Sequence, residues 1–230
     1  MCNPIQSAAP RIERAPLLYY ITDRKQFDGT PAQQERRLIA KITECALAGV
    51  DFIQLREKDL SVRELEHLAS AARAAIPESS ATRMLINSRL DVALACGAHG
   101  VHLPGDSLCA SEARNILVRG GNVRPVIAVS THSPDEVALA DAHGADFVVF
   151  GPVFEKRGLT NPAGLAQLAA ATTRSSIPVL ALGGITLDNA AKALEAGSAG
   201  IAAIRMFQDN EVTAIVNALR RLRAANAPSA

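Results

Sequence analysis

The sequence predicts a closed (β/α)8 TIM barrel in a single domain. Eight short apolar runs alternate with longer stretches of helical period along the 230 residues. The runs are continuously apolar, as parallel strands buried on both faces are, and lack the in–out alternation of a half-exposed sheet. Several helical stretches end in a glycine just before the next run, at Gly49, Gly97, Gly144 and Gly197, where a left-handed cap closes a helix. Eight such units in roughly 200 residues suit a barrel. An open doubly wound sheet usually carries a glycine fingerprint after its first strand, and Thr22-Asp23-Arg24 follows here.

In chain order, the strand candidates are Leu17–Thr22, Phe52–Arg56, Arg83–Asn87, Gly100–Leu103, Pro125–Ser130, Phe147–Phe150, Pro178–Leu182 and Gly200–Ile204. Each is rich in Val, Ile, Leu or aromatic residues and too short for a helix. Helical patterning marks Gln33–Gly49, Val62–Ala75, Asp91–Cys96, Pro134–His143, Leu165–Ser175, Asn189–Ala196 and Val212–Arg223. Ser133 stands as the N-cap of the Pro134 helix. The domain is expected over residues 17–223, with residues 1–16 and 224–230 as loose tails.

Hydrophobic residues make up 48% of the chain and aromatics 3%, with no Trp, so an aliphatic core is expected. A net charge of +1 lacks the basic excess of a general nucleic-acid or anionic-membrane binder. No secretory signal and no apolar run long enough to span a membrane is visible. Cys2, Cys45, Cys96 and Cys109 form no CxxC pair, which suits free thiols in a reducing compartment. A cytoplasmic location is the expectation. Small barrels are commonly dimers, and no interface is readable.

Barrel chemistry sits at the C-terminal ends of the strands. In "FIQLREKD", alternation points Gln54, Arg56 and Lys58 into the mouth. Such a trio is costly there unless it meets an anion or pairs with Glu57 or Asp59 at the rim. Asn87 either binds a ligand or caps the following helix. His102 is either a satisfied core histidine or a catalytic one. His132 follows the fifth strand, where it can take and return a proton near neutral pH. Gly183-Gly184 ends the seventh run at the usual phosphate site of barrels, or is a tight turn. Arg205 after the eighth strand either adds a charge to that site or sits in solvent. His67, His99 and His143 read as surface or core residues, and no metal-ligand spacing is present.

The chain resembles the thiamine phosphate synthase family and its TenI-type relatives through "YYITDR", "GVDFIQLREKDLS", "LINSRLDVALACGAHGVHLP", "VSTHSPDEVALADAHGADFVVFGPVF" and "IPVLALGGIT". The resemblance runs from Leu17 to about Arg220. It implies an enzyme of thiamine biosynthesis. Synthases join a pyrimidine diphosphate to a thiazole phosphate with Mg2+ and release diphosphate. Gln54, Arg56, Lys58 and Asn87 match positions that bind the pyrimidine diphosphate, and Ser130 a position near the reacting groups. Gly184, Ile204 and Arg205 match the thiazole-phosphate loop, where Arg205 replaces a smaller residue.

The departures point to the TenI-type branch. Ser88 and Arg89 stand where synthases carry two aspartates, and an arginine there would repel a metal. A second metal aspartate is expected at about Ser107, with Asp106 one place off. The usual Thr-x-Thr-Lys diphosphate clamp is replaced by "GPVFEKRGLTNPAG", leaving Lys156 and Arg157 as cations. The leading expectation is therefore a thiazole tautomerase with His132 as the proton shuttle, Ser130 beside it, Lys156 on the substrate and no cofactor. The alternatives are a Mg2+-dependent synthase, with Asp106 on the metal, and a non-catalytic binder of a phosphorylated thiazole.

Overall fold

The structure is a computed structural model that describes residues 15–155 and 162–222. Eight parallel strands close into one barrel in sequence order. They are β1 (Leu17–Ile21), β2 (Phe52–Leu55), β3 (Arg83–Asn87), β4 (Gly100–Leu103), β5 (Val126–Thr131), β6 (Phe147–Phe150), β7 (Val179–Leu182) and β8 (Gly200–Ala203). The ring closes where Leu17 pairs with Gly200 and Tyr20 with Ala203. The helices are α1 (Pro31–Ala48), α2 (Val62–Ala75), α3 (Leu90–Ala95), α4 (Ala110–Arg119), α5 (Pro134–Ala142), α6 (Gly164–Thr173), α7 (Leu187–Glu195), the short α8 (Arg205–Gln208) and α9 (Val212–Arg221). No helix among the described residues is long and apolar enough to cross a membrane.

Strands β3, β4 and β6 have the expected bounds, and the other five differ from the sequence expectation by one residue at one end or both. Pro125 and Pro178 have no N–H to give to a ladder, so β5 and β7 start one residue later. Just past the end of β1, the Thr22 backbone N–H still donates to Gln54 O at 3.0 Å, and its hydroxyl is also engaged. It donates to Glu57 Oε1 at 2.6 Å and accepts the Arg56 N–H at 3.0 Å. The four glycines named above all lie at positive φ, between 63° and 95°. Helix α4 lies where no helical segment was singled out; its N-cap, Cys109, makes no capping bond. Elsewhere the starts are well marked. Thr30 and Gln33 form a capping box at α1, as do Ser61 and Glu64 at α2, and Ser133 caps α5 by accepting from Glu136 N–H at 3.2 Å.

Period-two alternation sorts each strand between two cores. Leu18, Tyr20, Ile53, Leu55, Met84, Ile86, Ile127 and Val129 face the helices. Tyr19, Ile21, Leu85, Ala128, Phe147, Val149 and Leu180 fill the barrel. The expectation of an aliphatic core fails inside the barrel. Tyr19 meets Phe52 edge-on with centroids 5.9 Å apart and Phe147 at 5.5 Å, while Phe52 and Phe147 lie 4.7 Å apart. Three of the eight Phe and Tyr residues thus meet at the barrel centre, whereas Tyr20, Phe150 and Phe207 are buried in the helix-facing core.

Candidate active site

A cavity of about 1930 Å³ opens at the C-terminal ends of the strands. It exceeds the range usual for one drug-sized ligand. One wall carries Gln54, Arg56, Lys58 and Asn87 from the β2 and β3 ends. The opposite wall carries Gly183, Gly184, Ile204 and Arg205 from the β7 and β8 ends. Ser130 and His132 from β5 and Asp106 from the β4–α4 loop line the same cavity. Residues chosen from six separate stretches of sequence therefore meet at one mouth. Lys156 and Arg157 lie outside the described residues.

The cationic wall has its own support. Gln54, only 2% exposed, donates from Nε2 to Asn87 Oδ1 at 2.9 Å, and Asn87 Nδ2 donates to Ser88 Oγ at 3.1 Å. Asn87 does not cap a helix, since α3 begins only at Leu90. Ser88 sits at φ 60°, a left-handed conformation unusual for a residue with a Cβ. The rim carboxylates do not neutralise Arg56 or Lys58. Arg24 Nη1 reaches Glu57 Oε2 at 3.1 Å and Asp59 Oδ1 at 2.7 Å, and Lys25 Nζ reaches Asp59 Oδ2 at 3.0 Å. Among the described residues, Arg56 and Lys58 form no ion pair. Arg24 holds the Asp59 carboxyl well below its usual range. Burial pushes the Glu57 carboxyl up, while bonds from Thr22 and Arg24 pull it down. Nothing in the sequence singled out Arg24; its partners lie more than thirty residues away.

On the opposite wall, the glycine pair is explained first by its own neighbours. A Cβ on Gly183 would lie 2.6 Å from Pro152 Cβ, and one on Gly184 would lie 2.5 Å from the Glu155 carbonyl oxygen. Both residues also hold positive φ, 95° and 65°. The β6–α6 loop lies against this turn, with Val153 N–H donating to Leu182 O at 2.8 Å and Phe154 N–H to Gly183 O at 3.0 Å. The glycines are thus demanded by loop packing, whether or not an anion also approaches.

Two histidines line the cavity in different settings. His132 Nδ1 lies 2.6 Å from Gly151 O. A carbonyl only accepts, so Nδ1 carries the hydrogen and Nε2 of the neutral ring keeps its lone pair. Its backbone N–H donates to Glu136 Oε2 at 2.8 Å. His102 is buried at 2% exposure, with Nδ1 2.9 Å from Tyr19 Oη and Nε2 2.7 Å from Ser130 Oγ. Burial, reinforced by Arg56, pushes its pKa down to about 3, so the ring is neutral at physiological pH. The sequence left His102 between a core and a catalytic role, and Tyr19 unremarked.

Residues 18–207 match the family model described as thiamine monophosphate synthase. The chain belongs to this family. A Geobacter sulfurreducens protein provisionally named a thiamine-phosphate synthase is 45% identical over 190 residues, 81% of this chain and 84% of its own length. The thiamine-phosphate synthase of Koribacter versatilis is 36% identical over 195 residues, 83% of this chain and 88% of its own. The structure of the thiamine phosphate pyrophosphorylase of Pyrococcus furiosus superimposes with a TM-score of 0.73 at 29% identity, covering 90% of this chain and 94% of that one. These relatives bear the synthase name. The tautomerase expected first draws no support from them.

Within a thiamine monophosphate synthase family site, the suitability of the mouth for Mg2+ turns on its donors. Among the described residues no group of three or more His, Cys, Asp or Glu forms a metal cluster. Mg2+ needs no such cage, because one or two carboxylates plus substrate phosphates suffice. Asp106 is a mouth carboxylate on the loop beside the Asn87–Ser88 turn, whose Ser88 N–H donates to His102 O at 2.9 Å. The repulsion expected from Arg89 is countered within α3's first turn. Its Nε donates to Asp91 Oδ1 at 2.8 Å, and the guanidinium does not line the cavity. The donor set therefore fits a cation held largely by substrate oxygens.

Proposed function

We propose that the chain is a thiamine-phosphate synthase, joining a pyrimidine diphosphate to a thiazole phosphate with release of diphosphate. The observation that carries the reading is one cavity with two separate anion-attracting walls. A diphosphate suits the Arg56–Lys58–Asn87 side, where two unpaired cations face solvent space. A monophosphate suits the backbone turn at Gly183–Gly184 with Arg205. The volume leaves room for both substrates together, and the synthase names of the relatives agree.

In this reading, Arg56 and Lys58 bind the diphosphate and meet the negative charge that grows on it as it leaves. Gln54 and Asn87, locked to each other, orient the pyrimidine. The turn at Gly183–Gly184 and Arg205 fix the thiazole phosphate, so that the two reactants meet in the mouth between the walls. Mg2+, held by Asp106 and the substrate, would supply charge neutralisation of the leaving diphosphate. Lys156 is proposed to add a further cation to the leaving group.

The test is formation of thiamine phosphate from the two substrates with Mg2+. Absence of product and of diphosphate at saturating substrates overturns the reading. One observation favours a second reading. His132 presents an unshared Nε2 lone pair to the cavity, as a metal-free thiazole tautomerase needs. Conversion of the thiazole tautomer without Mg2+, lost in His132→Ala, together with no thiamine phosphate, would establish that activity instead.

A further inference from the structure

A line of three side chains crosses the barrel interior from its aromatic centre to the mouth. Tyr19 on β1 touches His102 on β4, and His102 touches Ser130 on β5, at 2.9 and 2.7 Å. Tyr19 and His102 also stack with centroids 5.7 Å apart and planes 26° apart. Phe52 and Phe147 pack edge-on against the Tyr19 ring and hold it in place.

The hydrogens on this line can be counted. A neutral imidazole has one N–H and one lone pair, and each hydroxyl donates one hydrogen. Burial keeps His102 neutral, so only two arrangements exist. In one, Tyr19 donates to Nδ1, Nε2–H donates to Ser130 Oγ, and the serine hydrogen is left for the mouth. In the other, Nδ1–H donates to Tyr19 Oη and Ser130 donates to Nε2. The Tyr19 hydrogen would then be buried with no acceptor, for Tyr19 makes no other side-chain bond among the described residues. An orphaned buried donor is the costly case.

We propose that Tyr19 is a positioning residue: its hydroxyl fixes His102 as the Nε2–H tautomer and thereby makes Ser130 present its own O–H to the mouth as a hydrogen-bond donor. His102 does not act as a base toward Ser130, since its Nε2 carries the hydrogen. The group Ser130 addresses is an acceptor, and a negatively charged substrate oxygen is the best one. The identity of that oxygen, a diphosphate or phosphate oxygen, rests on the synthase reading. The tautomer does not.

The first test is a long-range 1H–15N correlation spectrum of the whole protein with 15N-labelled histidine, His102 being assigned through His102→Gln. The expected result is a protonated Nε2 and a pyridine-type Nδ1. A protonated Nδ1 in the wild type overturns the proposal, whatever the variants do. The second test measures turnover in Tyr19→Phe, Ser130→Ala and the double variant. Tyr19→Phe keeps the ring packing and is expected to lower kcat about fivefold, the worth of one net hydrogen bond, with KM for the thiazole phosphate unchanged. In the Ser130→Ala background the same change should have no further effect. An equal loss in both backgrounds shows that Tyr19 acts independently of Ser130 and overturns the proposal. Should the wild type make no thiamine phosphate, the synthase reading falls and the spectrum still decides the tautomer.

Discussion

Single side chains at the mouth have separable duties. Arg56 bonds no carboxylate among the described residues, so its removal leaves no orphaned partner. Arg56→Ala is expected to cost about 2 kcal/mol, near thirtyfold in kcat/KM for the pyrimidine diphosphate, with the melting temperature little changed; steady-state kinetics beside thermal unfolding check both. Arg24 is the opposite case. Arg24→Met takes the cationic partner from the Glu57 carboxylate, 5% exposed, and leaves it the Thr22 hydroxyl and a backbone N–H; it should cost about 3 kcal/mol of stability, read by urea unfolding. His102 makes stability depend on pH. The folded state keeps it neutral down to about 3 while the unfolded chain protonates it near 6.5, so between those values the unfolded state binds more protons. Stability therefore falls as pH drops through that window, by about 3 kcal/mol between pH 7 and 4. Denaturation of wild type and His102→Gln at both pH values should show the larger loss in the wild type. Arg56, Lys58 and Asn87 were legible because a polar residue at the end of an apolar run is conspicuous. The Tyr19–His102–Ser130 line was not, because its contacts span 83 and 28 residues and exist only once the barrel closes.

At the scale of elements, the same logic separates stability from activity. Ser61 caps α2 and does not line the mouth, accepting from Glu64 N–H at 3.4 Å and donating from its own N–H to Glu64 Oε2 at 2.9 Å. Ser61→Ala should cost about 1 kcal/mol in chemical unfolding and leave kcat and KM unchanged. The turn after β7 couples both properties. A methyl at Gly184 meets backbone oxygen at 2.5 Å on a left-handed residue, so Gly184→Ala should lower the melting temperature and raise KM for the thiazole phosphate together. The eight strands were readable because parallel strands buried on both faces advertise themselves as unbroken apolar runs. Helix α4 was harder, lacking a Ser, Thr, Asp or Asn cap. The glycine pair was legible as a special backbone, yet its cause was not. The residues that exclude a Cβ there, Pro152 to Glu155, come from the preceding unit, and no local pattern records that contact.

For the whole molecule, closure is the organising fact. Helix α9 buries Val212, Ile215, Val216 and Leu219, and its Arg220 reaches back to Gly49 O and Asp51 Oδ2, both at 2.8 Å. The end of the described chain thereby holds the β1–β2 region in place. Closure also has a temporal side. The hydrogen-bonding edge of β1 is completed by β8, where Leu17 meets Gly200. A ribosome adding about 5–20 residues per second needs roughly 10–35 s to make the intervening chain. Throughout that interval the nascent protein carries a naked, apolar strand edge. The same ring that leaves the finished enzyme without an exposed edge makes its birth the moment of greatest risk of aggregation.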